Sequence, residues 1–398
     1  MTLPLEGIRI LAVTQYGAGP FGMLQLADLG ADIIKIENPG SKGDVGRTVP
    51  PYLEEGVNDS IYFQSFNRNN RSVTLNLVNP KGVEVFHRLT KSCHGVFSNL
   101  RGDLPTRMGL RYKDLKAINP KIVTCHLTGY GMDNSRSASP SYDMLIQGET
   151  GWMDITGEPG GAPQRSGVPV VDFAGGYNAA FALVSGILRA QISGKGCDLD
   201  VSLYDTAVAM LNYMGTWHLT RAHDVMRQPG SSHPSQVPSG VFKTSDGWIV
   251  YTCAKEEFFA RLSDIVGRPE WKEDPRFLRF ADRLKNREVL VPMLQDLFVE
   301  KTTGEWLDLM GPDFPAARVN TVATALAEPF LEERQLMHTM EHPVFGAVRT
   351  LGSPVKADSP RIKAAIAPPL GAHTDEVLTS LAGYSLDEVE ALRREGAV

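Results

Sequence analysis

The stretch "IRILAVTQYGAGPFGMLQLADLGADIIKIE", Ile8 to Glu37, decides the fold. Its opening "IRILAV" is a short apolar run ended by a loop, "TQYGAGP", and reads as a buried strand. "FGMLQLADLGA" follows with helical spacing, and Pro20 suits the first turn of a helix. "DIIKIE" is a second strand. A helix joining two strands so closely makes a right-handed βαβ unit with parallel strands. The alternation continues through a helix at "PKGVEVFHRLTKSC" and strands at "HGVFSNL" and "KIVTCHLTGYG". This pattern predicts a doubly wound α/β domain.

A chain of 398 residues is too long for one typical core. The Pro, Ser and Gly-rich "RQPGSSHPSQVPSG" (Arg227 to Gly240) marks a linker or loop. Beyond it, "GVFKTSDGWIVYTCA" reads as a hairpin turning at Asp246-Gly247. The expected division is a large α/β domain over 1–221, a smaller α+β domain over 222–325, and a return to the large domain over 326–398. "LYDTAVAMLNYMGTWHLTRAH", from Leu203, reads as one long helix.

With 40 Lys and Arg against 46 Asp and Glu, the net charge is −6, and no basic stripe offers itself to nucleic acid. The apolar helix after Asp172 contains Asn178 and several glycines, which suits a domain interior better than a membrane. The start carries no basic leader, and the four cysteines are widely spaced, so a cytoplasmic protein is expected.

Gly17, Gly19 and Gly22 spell GxGxxG between strand and helix, and Glu37 closes the next strand. This is the dinucleotide fingerprint, so an NAD-dependent oxidoreductase is one reading; tight helix packing is the other. His338 and His342 stand four apart and read as a surface pair at a helix end, with no metal implied. There is no GxSxG elbow, P-loop or HExxH motif, which leaves carboxylates as the reactive candidates. In "SGVPVVDFAGGYNAA" (Ser166 to Ala180), Val168 to Val171 read as a strand and Phe173 onward as a helix. Asp172 at the join is either an N-cap or a reactive acid. Asp143 heads "MLIQGETG" and is either a cap or a second acid of the site.

In order along the chain, several segments resemble the class III CoA-transferases. They are the opening βαβ unit, "NRNNRSVTLNL", "NLRGDLPTRMGL", "INPKIVTCHLTGYG", "SYDMLIQGETGWMDITG", "VVDFAGGYNAAFALVSGILRAQISGKG", "VSLYDTAV", "ARVNTVATALAEP" and "GAHTDEVL". That family includes formyl-CoA and carnitine CoA-transferases, with the α-methylacyl-CoA racemases as relatives. The resemblance implies a Rossmann-like large domain, a smaller domain and an interlocked homodimer. It implies an enzyme that moves CoA from an acyl-CoA donor to a carboxylic acid, such as a small dicarboxylate, with CoA as substrate and no resident cofactor or metal.

The family's catalytic aspartate falls on Asp172, which the resemblance casts as a nucleophile forming an acyl anhydride and then an aspartyl-CoA thioester. Asp143, Tyr142, Gln15, Gly175 and Gly176 are the implied supporting residues, the two glycines admitting the CoA thiol. Gln15, Ala18, Arg71, Asn99, Leu100 and Arg107 are the implied CoA contacts, with Arg107 at the diphosphate. Asn70 and Pro140 stand where relatives carry lysine, which leaves Arg47 and Arg101 as either substitutes for those cations or ordinary solvated surface arginines. Gly230 and His233 fall in the region of a mobile lid. Racemases place a histidine where Tyr142 stands, and a phenol with a pKa near 10 is a poor base at neutral pH. Transfer is therefore expected over racemisation.

Overall fold

The opening stretch folds as strand β1 (Arg9–Val13), a helix (Ala18–Asp28) and strand β2 (Asp32–Glu37). The computed structural model describes residues 2–52, 58–359 and 361–398. Four further strands join the sheet: β3 (Arg71–Thr74), β4 (Gly95–Ser98), β5 (Val123–Thr128) and β6 (Asp198–Ser202). All pair in parallel, in the order β3-β2-β1-β4-β5-β6. Parallel strands are covered on both faces and so carry unbroken apolar runs. Ile10, Leu11 and Ala12 of β1 accordingly have no exposed surface. Lys35 of β2 is a charge inside such a run, and it too is fully buried. Strand order reverses between β1 and β4, and ligands of such sheets bind at the carboxyl ends of the strands beside that reversal.

Against one face lies the long helix Val170–Ser193, packed on the helix Ala18–Asp28 and on β5 and β6. A Cβ on Gly22 would sit 2.6 Å from the carbonyl oxygen of Gly176, and one on Gly176 would sit 2.7 Å from that of Ala18. The two backbones touch. Among the described residues this long helix is the one with the length and apolarity to cross a membrane, and here half of that stretch is buried in protein.

The described chain divides into two compact units. The larger comprises the chain up to Thr150, Gly167–Leu211 and Phe330–Val398; the smaller comprises Gly151–Ser166 and Asn212–Pro329. The smaller unit thus takes in Gly151–Ser166 and begins at Asn212, where the sequence reading set 222–325. It holds an antiparallel sheet of β7 (Ser239–Lys243), β8 (Trp248–Thr252) and β9 (Ala316–Arg318) around Phe242, Tyr251, Phe298 and Trp306. The turn between β7 and β8 contains Asp246-Gly247 as expected. Asp246 there also accepts the Thr303 N–H at 2.7 Å, starting the helix Thr303–Met310.

Three local expectations are corrected. Val168 to Val171 form no strand: the helix already starts at Val170, after Pro169 fixes the turn, and Val168 is exposed. The helix from Leu203 breaks at Asn212, whose φ of 41° ends Leu203–Met210 before Asn212–Arg221 begins. His338 and His342 lie on a strand, β10 (Met337–His342), paired antiparallel with β11 (Gly346–Leu351). His342 is buried there, 3.4 Å from Asp59.

Gly22→Ala should destabilise the fold by about 1–3 kcal/mol, because the new methyl meets backbone that cannot move aside. Gly167→Ala, with nothing within 4 Å of the added carbon, should stay within about 0.5 kcal/mol of the parent. Urea unfolding of the two variants checks the contrast.

Candidate active site

Loops at the carboxyl ends of β1, β4 and β5 enclose a cavity of about 420 Å³, within the range of small-molecule sites. Gln15, Tyr16 and Gly17 come from the first loop, Asn99 to Arg101 from the second, and Ser139 to Tyr142 follow β5. Asp172 enters from the long helix. The cavity lies at the reversal of strand order, so topology alone accounts for its place.

The first loop is held by side chains. Asn99 accepts the Gln15 N–H through Oδ1 at 2.8 Å and donates through Nδ2 to the Gln15 carbonyl at 2.8 Å. Both ends of its amide are therefore engaged. Gly19 permits this: a Cβ there would lie 2.5 Å from the Asn99 side chain. Tyr16 has φ of 65°, a left-handed conformation uncommon for a residue with a side chain. Its ring lies 5.4 Å from Tyr62 and 6.1 Å from Tyr142, giving the cavity an aromatic wall.

Asp172 is buried, in the first turn of its helix and not at the cap. The capping oxygen comes from Asp143, whose Oδ1 accepts the N–H groups of Val171 at 2.8 Å and Asp172 at 3.2 Å. Asp143 is itself held by Gln147, which donates to Oδ2 at 2.6 Å. Val170 and Phe173 donate to the carbonyls of Val168 and Pro169. No amide of this turn is left for Asp172. Burial, and then the neighbouring Asp143 carboxylate, raise its pKa from 3.8 to about 7. No free amide at the helix start is therefore available to keep the acid ionised. The acid is instead made reluctant to ionise.

With this geometry, comparison with known proteins is informative. Residues 5–374 match CoA-transferase family III. The chain belongs to CoA-transferase family III. It is 34% identical over 397 residues to human succinyl-CoA:glutarate CoA-transferase, covering 99% of this chain and 90% of that protein. It is 32% identical over 356 residues to acetyl-CoA:oxalate CoA-transferase of Acetobacter aceti, covering 89% of each. A CAIB/BAIF family crystal structure from Brucella suis superposes with a TM-score of 0.81 at 30% identity, over 96% of this chain and all of that one.

The fold gathers Gln15, Ala18, Asn99, Leu100, Tyr142 and Asp172 around one cavity of this transferase, with Asp143 directly behind. Arg101 and Pro140 also line it. A second cavity of about 220 Å³ shares Gln15 and Leu100 and is otherwise mostly apolar, with Ile36, Leu75, Leu77 and Met108. Other expected contacts lie elsewhere. Arg71 opens β3, so it sits at the opposite edge of a parallel sheet, bound to Asp32 at 2.6 Å and Glu376 at 3.2 Å. Gly175 faces Leu203, and Gly176 faces the neighbouring helix, so neither is open to a thiol. Arg107 is exposed and pairs with Asp103 at 3.2 Å. Arg47 is fully buried against Glu37 at 2.8 Å. Glu37, which also accepts from Ser72, is thus closed to a ribose, and the three glycines of the fingerprint serve close packing. In the smaller unit, His233 Nδ1 accepts the N–H groups of Ser235 and Gln236, so its ring shapes its own turn.

Sequence reasoning passed over Tyr16 and Tyr62. A Cβ on Gly17 would lie 3.2 Å from both the Tyr62 hydroxyl and Asp172 Oδ2. Burial, then Tyr16, Asp172 and Asp44, push the Tyr62 phenol well above 10. Nothing local marks either tyrosine, because the fold alone brings them to the acid.

The raised pKa has a signed effect on stability. Between pH 3.8 and about 7 the folded chain keeps the Asp172 proton that the unfolded chain has released. Stability from this group therefore falls as pH rises through that window. Asp172→Asn should stabilise the fold by about 2–4 kcal/mol at pH 8 and by little below pH 4. Urea unfolding at the two pH values measures the difference.

Proposed function

We propose that this protein transfers CoA from an acyl-CoA donor to a small dicarboxylate through covalent chemistry at Asp172. The observation that carries the reading is a buried carboxylate, destabilised as an anion by burial and Asp143, in the cavity at the strand reversal. A carboxylate stripped of hydration is a stronger nucleophile than one in water. One oxygen of Asp172 attacks the thioester carbonyl, the carbon–sulfur bond breaks, and CoA leaves as thiolate. The thiolate attacks the aspartyl carbonyl of the resulting anhydride, releasing the donor acid and leaving an aspartyl-CoA thioester. An acceptor carboxylate displaces the thiolate to give a second anhydride. Attack by CoA on the acceptor's carbonyl then forms the new acyl-CoA and frees Asp172.

The amides at Gly17 and Ala18, where no side chain caps the helix Ala18–Asp28, are suited to take the developing oxyanion. The apolar second cavity suits the adenine of CoA, with Arg101 and Arg107 near its phosphates. The names of the relatives favour glutarate or oxalate as acceptor and succinyl-CoA or acetyl-CoA as donor. Tyr142, in place of a histidine, disfavours proton exchange at the α-carbon. We further propose a cytoplasmic homodimer of the interlocked kind; Phe181, Leu188 and Ile192 on one side of the long helix are exposed apolar candidates for its interface.

Incubation with succinyl-CoA followed by hydroxylamine should modify Asp172, as read by peptide mass spectrometry. Asp172→Ala should lose modification and at least ~10³-fold in turnover. Modification elsewhere with turnover intact would refute the assignment.

The dependence on Asp143 is separable. Transfer requires ionised Asp172, so kcat/KM should rise through about pH 7 and level off above it. Asp143→Asn keeps an acceptor for the two amides but removes the charge. Its acid limb should therefore move down by about 1 unit. A pH–rate profile of each protein provides the check.

A further inference from the structure

Lys35 is an ammonium in the middle of "DIIKIE", between Ile34 and Ile36 on a buried strand. A buried charge persists only when paired and hydrogen-bonded. Lys35 Nζ donates to Asp44 Oδ2 at 2.7 Å, to the Thr14 carbonyl at 2.9 Å and to Thr14 Oγ1 at 3.2 Å. Neither member of the ion pair has exposed side-chain surface. The other oxygen of Asp44 accepts the Tyr16 N–H at 2.9 Å and the Gly46 N–H at 2.8 Å. Asp44 is fixed from behind as well, its own N–H donating to Glu37 Oε2 at 2.9 Å.

Apolar residues of the same size often give equal or greater stability than a buried ion pair. An apolar pair would nonetheless offer nothing to the loop above it. Here the pair supplies a donor to Thr14 and an acceptor to Tyr16, the residues flanking Gln15. Asn99 holds Gln15 from the other side. Three consecutive residues, Thr14, Gln15 and Tyr16, are thus tied down by side chains, and the last of them, which lines the cavity, is a tyrosine in a left-handed conformation.

We propose that Lys35 and Asp44 are a positioning pair for the transfer reaction: they hold Tyr16 in its left-handed conformation and so fix the cavity wall facing Asp172. The pair acts through the Thr14–Gly17 loop, since neither of its side chains has exposed surface to offer a substrate. The inference rests on the transferase reading of that cavity. Without the Asp44 acceptor, Tyr16 relaxes toward the extended region that residues with side chains prefer. Its ring then leaves the wall, and reacting groups lose alignment.

Two double variants isolate the effect. Lys35→Met with Asp44→Asn removes both charges but keeps an oxygen for the Tyr16 and Gly46 amides. Lys35→Met with Asp44→Leu removes the charges and the acceptor together. Transfer from succinyl-CoA to glutarate or oxalate should be at least tenfold slower in kcat for the leucine variant than for the asparagine variant, with CoA dissociation constants within about threefold by calorimetry. Residue-resolved hydrogen exchange should show the Tyr16 amide protected in the parent and the asparagine variant, and released in the leucine variant. Equal kcat in the two variants despite a released amide would overturn the proposal. So would a Tyr16 amide that exchanges in the parent as fast as an open loop, a measurement that needs no variant to fold. Exchange is read without turnover. Absence of transfer in the parent to any acid would therefore count against the transferase reading, while the exchange contrast still decides whether the pair holds the loop.

Discussion

The site depends on one close approach. The helix Ala18–Asp28 meets the helix Val170–Ser193 backbone to backbone, at Gly22 and Gly176. Any side chain at this crossing would hold the helices apart, since added carbons would lie 2.6 and 2.7 Å from carbonyl oxygens, well inside van der Waals contact. The spacing matters because each helix carries half of the site at its start. Gly17 and Ala18 open the first, and Asp172 stands in the first turn of the second. Glycines resembling a phosphate-binding fingerprint thus bring a carboxylate to a loop. Gly19 and Gly22 do so through packing alone, against Asn99 and against Gly176.

The second organising element is the reversal of strand order between β1 and β4. A crevice opens there because the connections leave toward opposite sides of the sheet. The loop after β1 and the residues after β4 become neighbours, and Asn99 joins them by taking both polar groups of Gln15. Buried charges from β2 and its following turn hold the same loop from below. A wall built from loops thereby gains a fixed geometry.

The sheet was legible because parallel strands covered on both faces are rich in apolar residues, as "ILAV" is throughout and "DIIKIE" is at Ile33, Ile34 and Ile36. Asp172 was legible only as one of two alternatives, until the resemblance chose. Its surroundings were not legible: that Asp143 caps a helix beginning 27 residues later is a tertiary fact. Val168 to Val171 misled because a valine-rich run scores as strand until Pro169 is weighed as a helix start. Asn212 hid the break in its helix because left-handed asparagine leaves little trace in an otherwise helical pattern. Arg71 shows the same dependence on tertiary structure: it starts β3 and is paired with Asp32, away from the carboxyl ends of the strands where the cavity lies.

Asp143 joins stability to reactivity in one side chain. As a cap it satisfies two amides that would otherwise be buried without partners, a contribution of about 1–2 kcal/mol. As a charge it opposes ionisation of Asp172, which destabilises the folded state at neutral pH. The two effects have opposite signs and cannot be tuned apart while the residue is an aspartate. An asparagine would keep the cap and relieve the repulsion, giving a more stable protein with a less basic Asp172. On the covalent mechanism proposed above, a carboxylate at this position serves to keep Asp172 a strained anion. Nucleophilicity rises with basicity, and an acid with a pKa near 7 stays largely ionised just above neutrality. The cavity thus holds a carboxylate whose basicity is raised by burial and by Asp143 together.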